Sequence, residues 1–158
     1  YVISWKLCRT MKAKDVTDTL ELALEASSCT DKGNMPRLLS DNGASYVAGE
    51  LADYLADKGM GHVRGAPYHP QTQGKIERWH QTLKNRILLD NYYLPNHLEH
   101  EIGQFIEYYN HERYHESINN LTPADMYFGR AGTILEKRRR IKLKTLKQRR
   151  LQHYTQAA

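Results

Sequence analysis

Cysteine, phenylalanine and proline are scarce in this 158-residue chain, with two, two and five copies respectively, and what is missing closes off whole classes of protein. Cys8 and Cys29 cannot build a disulfide framework and lack close metal-ligand spacing, so they read as ordinary reduced thiols. No apolar run approaches the ~20 residues that span a bilayer. Tyr1 to Cys8 also lacks the charged start of a signal peptide, so a cytoplasmic protein with no membrane partner is expected. Neither a nucleophile triad nor a glycine-rich phosphate loop is evident. Acidic residues are absent from Lys137 to Arg150, a stretch that holds nine of the 23 lysines and arginines. Such a run is either a solvated basic helix or a surface for a polyanion. What is present is ordinary: 40% hydrophobic residues and a net charge of +5, enough apolar material for one core.

The first residues alternate, with Ile3, Trp5 and Leu7 on one side and Val2, Ser4 and Lys6 on the other, which predicts a strand with one buried face. From Lys14, the apolar residues Val16, Leu20, Ala23 and Leu24 recur at helical spacing, and Asp31-Lys32-Gly33-Asn34 supplies a turn. A short strand over Arg37 to Ser40 follows. Val47, Leu51, Tyr54 and Leu55 mark a second helix that stops at Lys58-Gly59. His62 to Arg64 reads as another strand, and Gly65 to Gly74 as a loop. Ile76, His80, Leu83 and Ile87 then trace the core face of a long helix. Leu98, Ile102, Phe105, Ile106 and Tyr109 trace that of the next, and Thr122-Pro123 has the form of an N-cap with proline at the first helical position. The alternation of strands and helices predicts an α/β domain with a helical second half.

Two carboxylates stand out by position. Asp41 ends a predicted strand and precedes Asn42-Gly43, which turns the chain and leaves the carboxylate at the sheet edge, where open α/β sheets place ligands. Taken alone, a plain surface turn explains it as well. Glu77 lies near the start of the long helix, with Gln81 and Lys84 four and seven residues on, so the three share a face. An ordinary amphipathic surface helix gives the same pattern.

The combination is more specific. Asp41 and Glu77 have 35 residues between them, and Glu77 follows Pro67-Tyr68-His69-Pro70-Gln71-Thr72-Gln73-Gly74. The order of an Asp-Asn-Gly turn, this interval, a Pro-Tyr-x-Pro-Gln-x-x-Gly loop, a helix-borne Glu and a basic residue seven positions later resembles the second half of the retroviral-type integrase core. It is most similar to that of DDE transposases from bacterial insertion sequences. Tyr109-Asn110, Arg113, His115 and Leu121-Thr122-Pro123-Ala124 resemble the segment that follows in those transposases, so the likeness runs from Tyr1 to Gly129. It implies a ribonuclease H-like α/β fold with a mixed sheet, flanking helices and a helical C-terminal part. The implied activity is DNA cleavage and strand transfer by in-line phosphodiester displacement on two Mg²⁺ or Mn²⁺ ions. By the resemblance, Asp41 and Glu77 are the catalytic, metal-binding carboxylates. Lys84 contacts DNA phosphate, with Gln81, Tyr68, Gln71, Gln73, Lys75 and Arg78 as further DNA contacts. DNA is the expected partner, with a homo-oligomer in the parent enzyme.

The resemblance also implies a first Asp on an upstream central strand. Asp15, Asp18 and Asp31 are the only aspartates before Asp41; the first two are predicted on a helix and the third in a turn. The expectation is a partial core over residues 1–129 with a gap in its sheet, weak metal binding and little or no turnover alone. A catalytically inactive remnant that binds DNA or a partner is the alternative. His111-Glu112-Arg113-Tyr114-His115 also fits a zinc-protease pattern, a remote alternative that needs both imidazoles on one helical face. Residues 130–158 are expected to form a basic helical tail, in which Arg138, Arg139 and Lys142 add salt-dependent DNA affinity.

Overall fold

The structure is a computed structural model that describes residues 1–27, 35–65 and 74–156. It divides into two compact units, one of Val2–Phe105 and the other of Tyr1 with Ile106–Ala158. The turn expected at Asp31 to Asn34, Cys29, and the 66–73 stretch of the loop lie outside the described residues.

In the first unit, helix α1 (Ala13–Ser27) forms on the Val16, Leu20 and Leu24 spacing and buries Ala13 and Leu24. Strand β1 (Leu38–Ser40) pairs in parallel with β2 (His62–Arg64), Leu38 opposite His62 and Ser40 opposite Arg64. Parallel neighbours need a crossover. Helices α2 (Ala44–Val47) and α3 (Gly49–Lys58) supply it, and α3 ends on Gly59 at φ 70°, a left-handed turn that suits glycine. Leu51, Leu55 and Met60 close the core with Ala13 and Leu24, while Lys58 and the Tyr54 hydroxyl both bind the Glu21 carboxylate and lock α3 to α1. Helix α4 (Gly74–Ile87) follows, then α5 (Pro95–His111), whose Phe105 ring stacks on Trp79 at 5.8 Å.

Three expectations are corrected. The strand over Tyr1 to Leu7 is absent: that segment forms no ladder, Ile3 and Leu7 are exposed, and it is tethered by side chains instead. Ser4 Oγ donates to the Thr19 carbonyl, Lys6 pairs with Asp18 at 2.6 Å, and the Trp5 ring lies against Gly103. Alternation makes a strand only when a neighbour supplies hydrogen bonds, and among the described residues the sheet is two-stranded and parallel rather than mixed. The single helix expected from Val47 to Lys58 is broken at Ala48, whose ψ of 140° starts α3 afresh. The inward face of α4 is also displaced, since Ile76 and His80 are exposed and Trp79 with Leu83 faces inward.

In the second unit, Ile106, Leu121 and Ala124 are buried, and His115 bridges Leu121 across a short 3-10 turn (Glu116–Ile118). Thr122 caps α6 (Pro123–Tyr127), its hydroxyl accepting from the Asp125 N–H while the Asp125 carboxylate accepts from the Thr122 N–H. The Tyr1 ring stacks on Tyr127 at 4.4 Å. Helix α7 (Ala131–Gln156) is 26 residues long, and every residue from Glu136 to Gln156 is exposed. Among the described residues, no helix is long and apolar enough to cross a membrane.

Candidate active site

Parallel pairing sets the geometry of the sheet edge, because β1 and β2 present their carboxyl ends on the same side. Asp41 leaves β1 at that edge, exposed, with Oδ1 accepting from the Gly43 N–H at 2.8 Å. A Cβ on Gly43 would stand 2.9 Å from Asp41 Oδ1, so any larger residue there shifts the carboxylate. The neighbouring chain is clasped to this turn. Gly65 N–H donates to the Ser40 carbonyl and Asn42 Nδ2 to the Gly65 carbonyl, both at 2.9 Å, so the end of β2 is held beside the Asp41 turn. Ser40 Oγ, at the carboxyl end of β1, meets the Nε2 of His62, the first residue of β2, at 2.8 Å. Burial and then Arg64 lower the His62 pKa, favouring the neutral ring. Burial, and then the Asp41 charge, push the Tyr46 phenol up.

Glu77 stands in the first turn of α4, exposed, with Gln81 and Lys84 on the same face. Gln81 Nε2 donates to Asn85 Oδ1 at 2.6 Å, which orients its amide along that face. Trp79 lies about 200° round the helix from Glu77, so its stacking on Phe105 turns the acidic face outward. Arg78 and Lys75 are exposed but stand about 100° and 160° from Glu77, off its face. Tyr68, Gln71 and Gln73 lie outside the described residues. Of the tail residues, Arg139 and Lys142 are exposed, whereas Arg138 donates to the Asn119 carbonyl at 3.0 Å and lies over the Tyr114 ring.

Asp41 offers carboxylate oxygens at this edge, the donor type hard divalent ions take. Among the described residues, no group of three or more His, Cys, Asp or Glu side chains could hold a metal ion. The zinc-protease pattern is not built either. Helix α5 ends at His111 and His115 sits on extended backbone at φ −120°, ψ 122°, so the two imidazoles share no helical face.

Sequence reasoning missed the Asn42 to Gly65 and Ser40 to His62 contacts. Both depend on strand register, which pairs residues about 22 positions apart and leaves no local signal.

Comparison with known proteins bears on the same residues. The integrase core domain family matches residues 58–123, a span that holds Glu77, Gln81 and Lys84 and begins after Asp41. The catalytic core domain of BIV integrase superposes with a TM-score of 0.57 at 23% identity, covering 82% of this chain and 80% of that one. The fold is that of an integrase catalytic core. A simian T-cell lymphotropic virus intasome chain, solved with PP2A regulatory subunit B56 gamma, gives a TM-score of 0.56 at 21% identity over 68% of this chain and 37% of its own. Among curated relatives, the Gag-Pro-Pol polyprotein of mouse mammary tumor virus (strain BR6) is 35% identical over 77 residues, 46% of this chain and 4% of the polyprotein. That of squirrel monkey retrovirus is 42% identical over 55 residues, 35% of this chain and 3% of the polyprotein. The chain thus corresponds to a small part of the length of these relatives.

Proposed function

We propose that this chain carries the Asp and Glu of a DNA strand-cleaving and strand-transferring site of the integrase and DDE-transposase type. The observation behind the reading is the arrangement on an integrase-core fold: Asp41 clasped at a parallel strand edge, with Glu77, Gln81 and Lys84 on the outward face of the helix that follows. Asp41 and Glu77 would hold Mg²⁺ or Mn²⁺, and the ion would supply Lewis-acid polarisation and charge neutralisation for phosphodiester chemistry. Lys84 and Gln81 bind the DNA backbone near the reacting phosphate, and Tyr68, Gln71 and Gln73, which precede α4 in the sequence, are assigned to DNA contact by the motif they belong to. Lys75 and Arg78 serve DNA farther along the helix, and the exposed Arg139 and Lys142 add sequence-independent attraction, while Arg138 is held by the Asn119 carbonyl. The Pro-Tyr-x-Pro-Gln-x-x-Gly string and the Leu121 to Ala124 segment favour an insertion-sequence transposase as the lineage. A homo-oligomer suits chemistry that joins two DNA ends.

Two carboxylates under-neutralise two divalent ions, so metal binding by the chain alone is weak. That favours a second reading, a non-catalytic DNA-binding remnant, because no third ligand joins the pair among the described residues. Mn²⁺ titration followed by water-proton relaxation tests the site: Asp41→Asn and Glu77→Gln should each weaken binding about tenfold or more. Unchanged Mn²⁺ affinity in both variants would sink the proposal. Metal-dependent joining of labelled duplex ends by the purified chain separates the catalytic reading from the remnant.

A further inference from the structure

Helix α7 carries most of the basic run, and the structure changes which of its cations matter. Arg138 is committed to the Asn119 carbonyl and the Tyr114 ring, which marks the side of α7 turned toward its own unit. At about 100° per residue, Lys137, Arg140, Lys144 and Lys147 fall within about 80° of one another, on the side away from Arg138. Their spacing of three, four and three residues makes a stripe about 15 Å long, all of it exposed. Among the described residues, the one ion pair on it is the solvent-exposed contact of Arg140 with Glu136 at 3.6 Å, which holds little free energy against a competing phosphate.

Other partners fit α7 poorly. A membrane-surface helix needs an apolar face, but Ile141, Leu143, Leu146 and Leu151 point in directions spread about 220° round α7 and form no stripe. A second copy of the same helix would bring like charges together. A duplex instead offers one phosphate charge per ~1.7 Å of axis, about nine along the length of the stripe.

We infer that Lys137, Arg140, Lys144 and Lys147 form a docking stripe for the backbone of duplex DNA, separate from the carboxylate site. The inference rests on the reading that this chain acts on DNA and deepens it by assigning a second contact surface. Phosphate contacts of this kind position the duplex without reading its sequence, and each displaces counterions.

The test is fluorescence anisotropy of the whole chain with a mixed-sequence duplex, without divalent metal, between about 50 and 200 mM salt. Lys144→Gln with Lys147→Gln is compared with Arg149→Gln with Arg150→Gln, an equal loss of charge on other sides of the same part of α7. The stripe pair should reduce the slope of log affinity against log salt by about 1.8, two contacts at ~0.9 each, and the control pair by much less. Circular dichroism checks that both variants keep α7. Equal shifts from the two pairs, no shift from either, or equal affinity for an A-form RNA duplex or anionic vesicles would each overturn the inference. Glu77→Gln keeps the two proposals apart: it should weaken Mn²⁺ binding about tenfold or more and leave the salt slope unchanged. Failure of the carboxylate reading alone therefore leaves the slope result standing.

Discussion

The Asp41 turn shows how much one atom can govern. Gly43 has an ordinary φ of −57°, so alanine there strains no backbone, but its Cβ would displace the Asp41 carboxylate from a 2.9 Å approach. Gly43→Ala is expected to cost less than about 0.5 kcal/mol in stability while weakening Mn²⁺ binding severalfold, read by denaturant melts beside metal titration. His115 makes the second prediction at this scale. Its Nε2 is buried without a partner, and burial, followed by Arg113, holds its pKa below the ordinary 6.5. A depressed pKa means that the unfolded chain takes up the proton first, so this contribution to stability is complete above about pH 6.5 and is lost as pH falls through the lower folded value. The denaturation midpoint should drop on acidification below that point, and His115→Phe, which keeps a ring against Tyr109, should flatten the drop. An unaltered profile in that variant would show that another group controls it. Asp41-Asn42-Gly43 was legible in the sequence because an Asp-Asn-Gly turn is local chemistry. The clasp made by Asn42 was not, because its acceptor is the Gly65 carbonyl on the adjoining strand.

At the scale of elements, capping and periodicity carried most of the information. Thr122 behaves as its sequence predicts, and Thr122→Ala removes the hydroxyl half of a capping box at a buried position while the backbone N–H still donates to Asp125, so a loss of about 1 to 2 kcal/mol in denaturant melts is expected. Phe105 is 7% exposed and supports Trp79, so Phe105→Ala should cost about 3 to 5 kcal/mol and loosen the outward orientation of Glu77. Amide exchange along α4 should speed up in that variant; unchanged protection would mean that Trp79 does not orient the helix. The face of α4 was misread because its sequence offers apolar residues over a wide arc, and only contact with α5 selects Trp79 over Ile76 and His80. The N-terminal alternation failed for a related reason: a strand is a property of a pair.

For the whole molecule, stability and chemistry rest on different residues. Leu51, Leu55, Leu24 and Ala13 are buried in the core, whereas Asp41 and Glu77 are exposed. The double variant Asp41→Asn with Glu77→Gln should unfold within about 0.5 kcal/mol of the parent while losing metal-dependent chemistry, and a large stability loss would assign these carboxylates a structural role. What the sequence determined by itself is local. It set the helices of both halves, the αL stop at Gly59, the cap at Thr122, the Asp-Asn-Gly turn and the shared face of Glu77, Gln81 and Lys84. Each follows from interactions within about seven residues. The tertiary structure alone decided the parallel register that clasps β2 to the Asp41 turn, the ring stack that turns Glu77 outward, and the use of Arg138 that leaves the far stripe of α7 open. Those outcomes depend on which distant surfaces meet, and spacing along the chain carries no direct record of that.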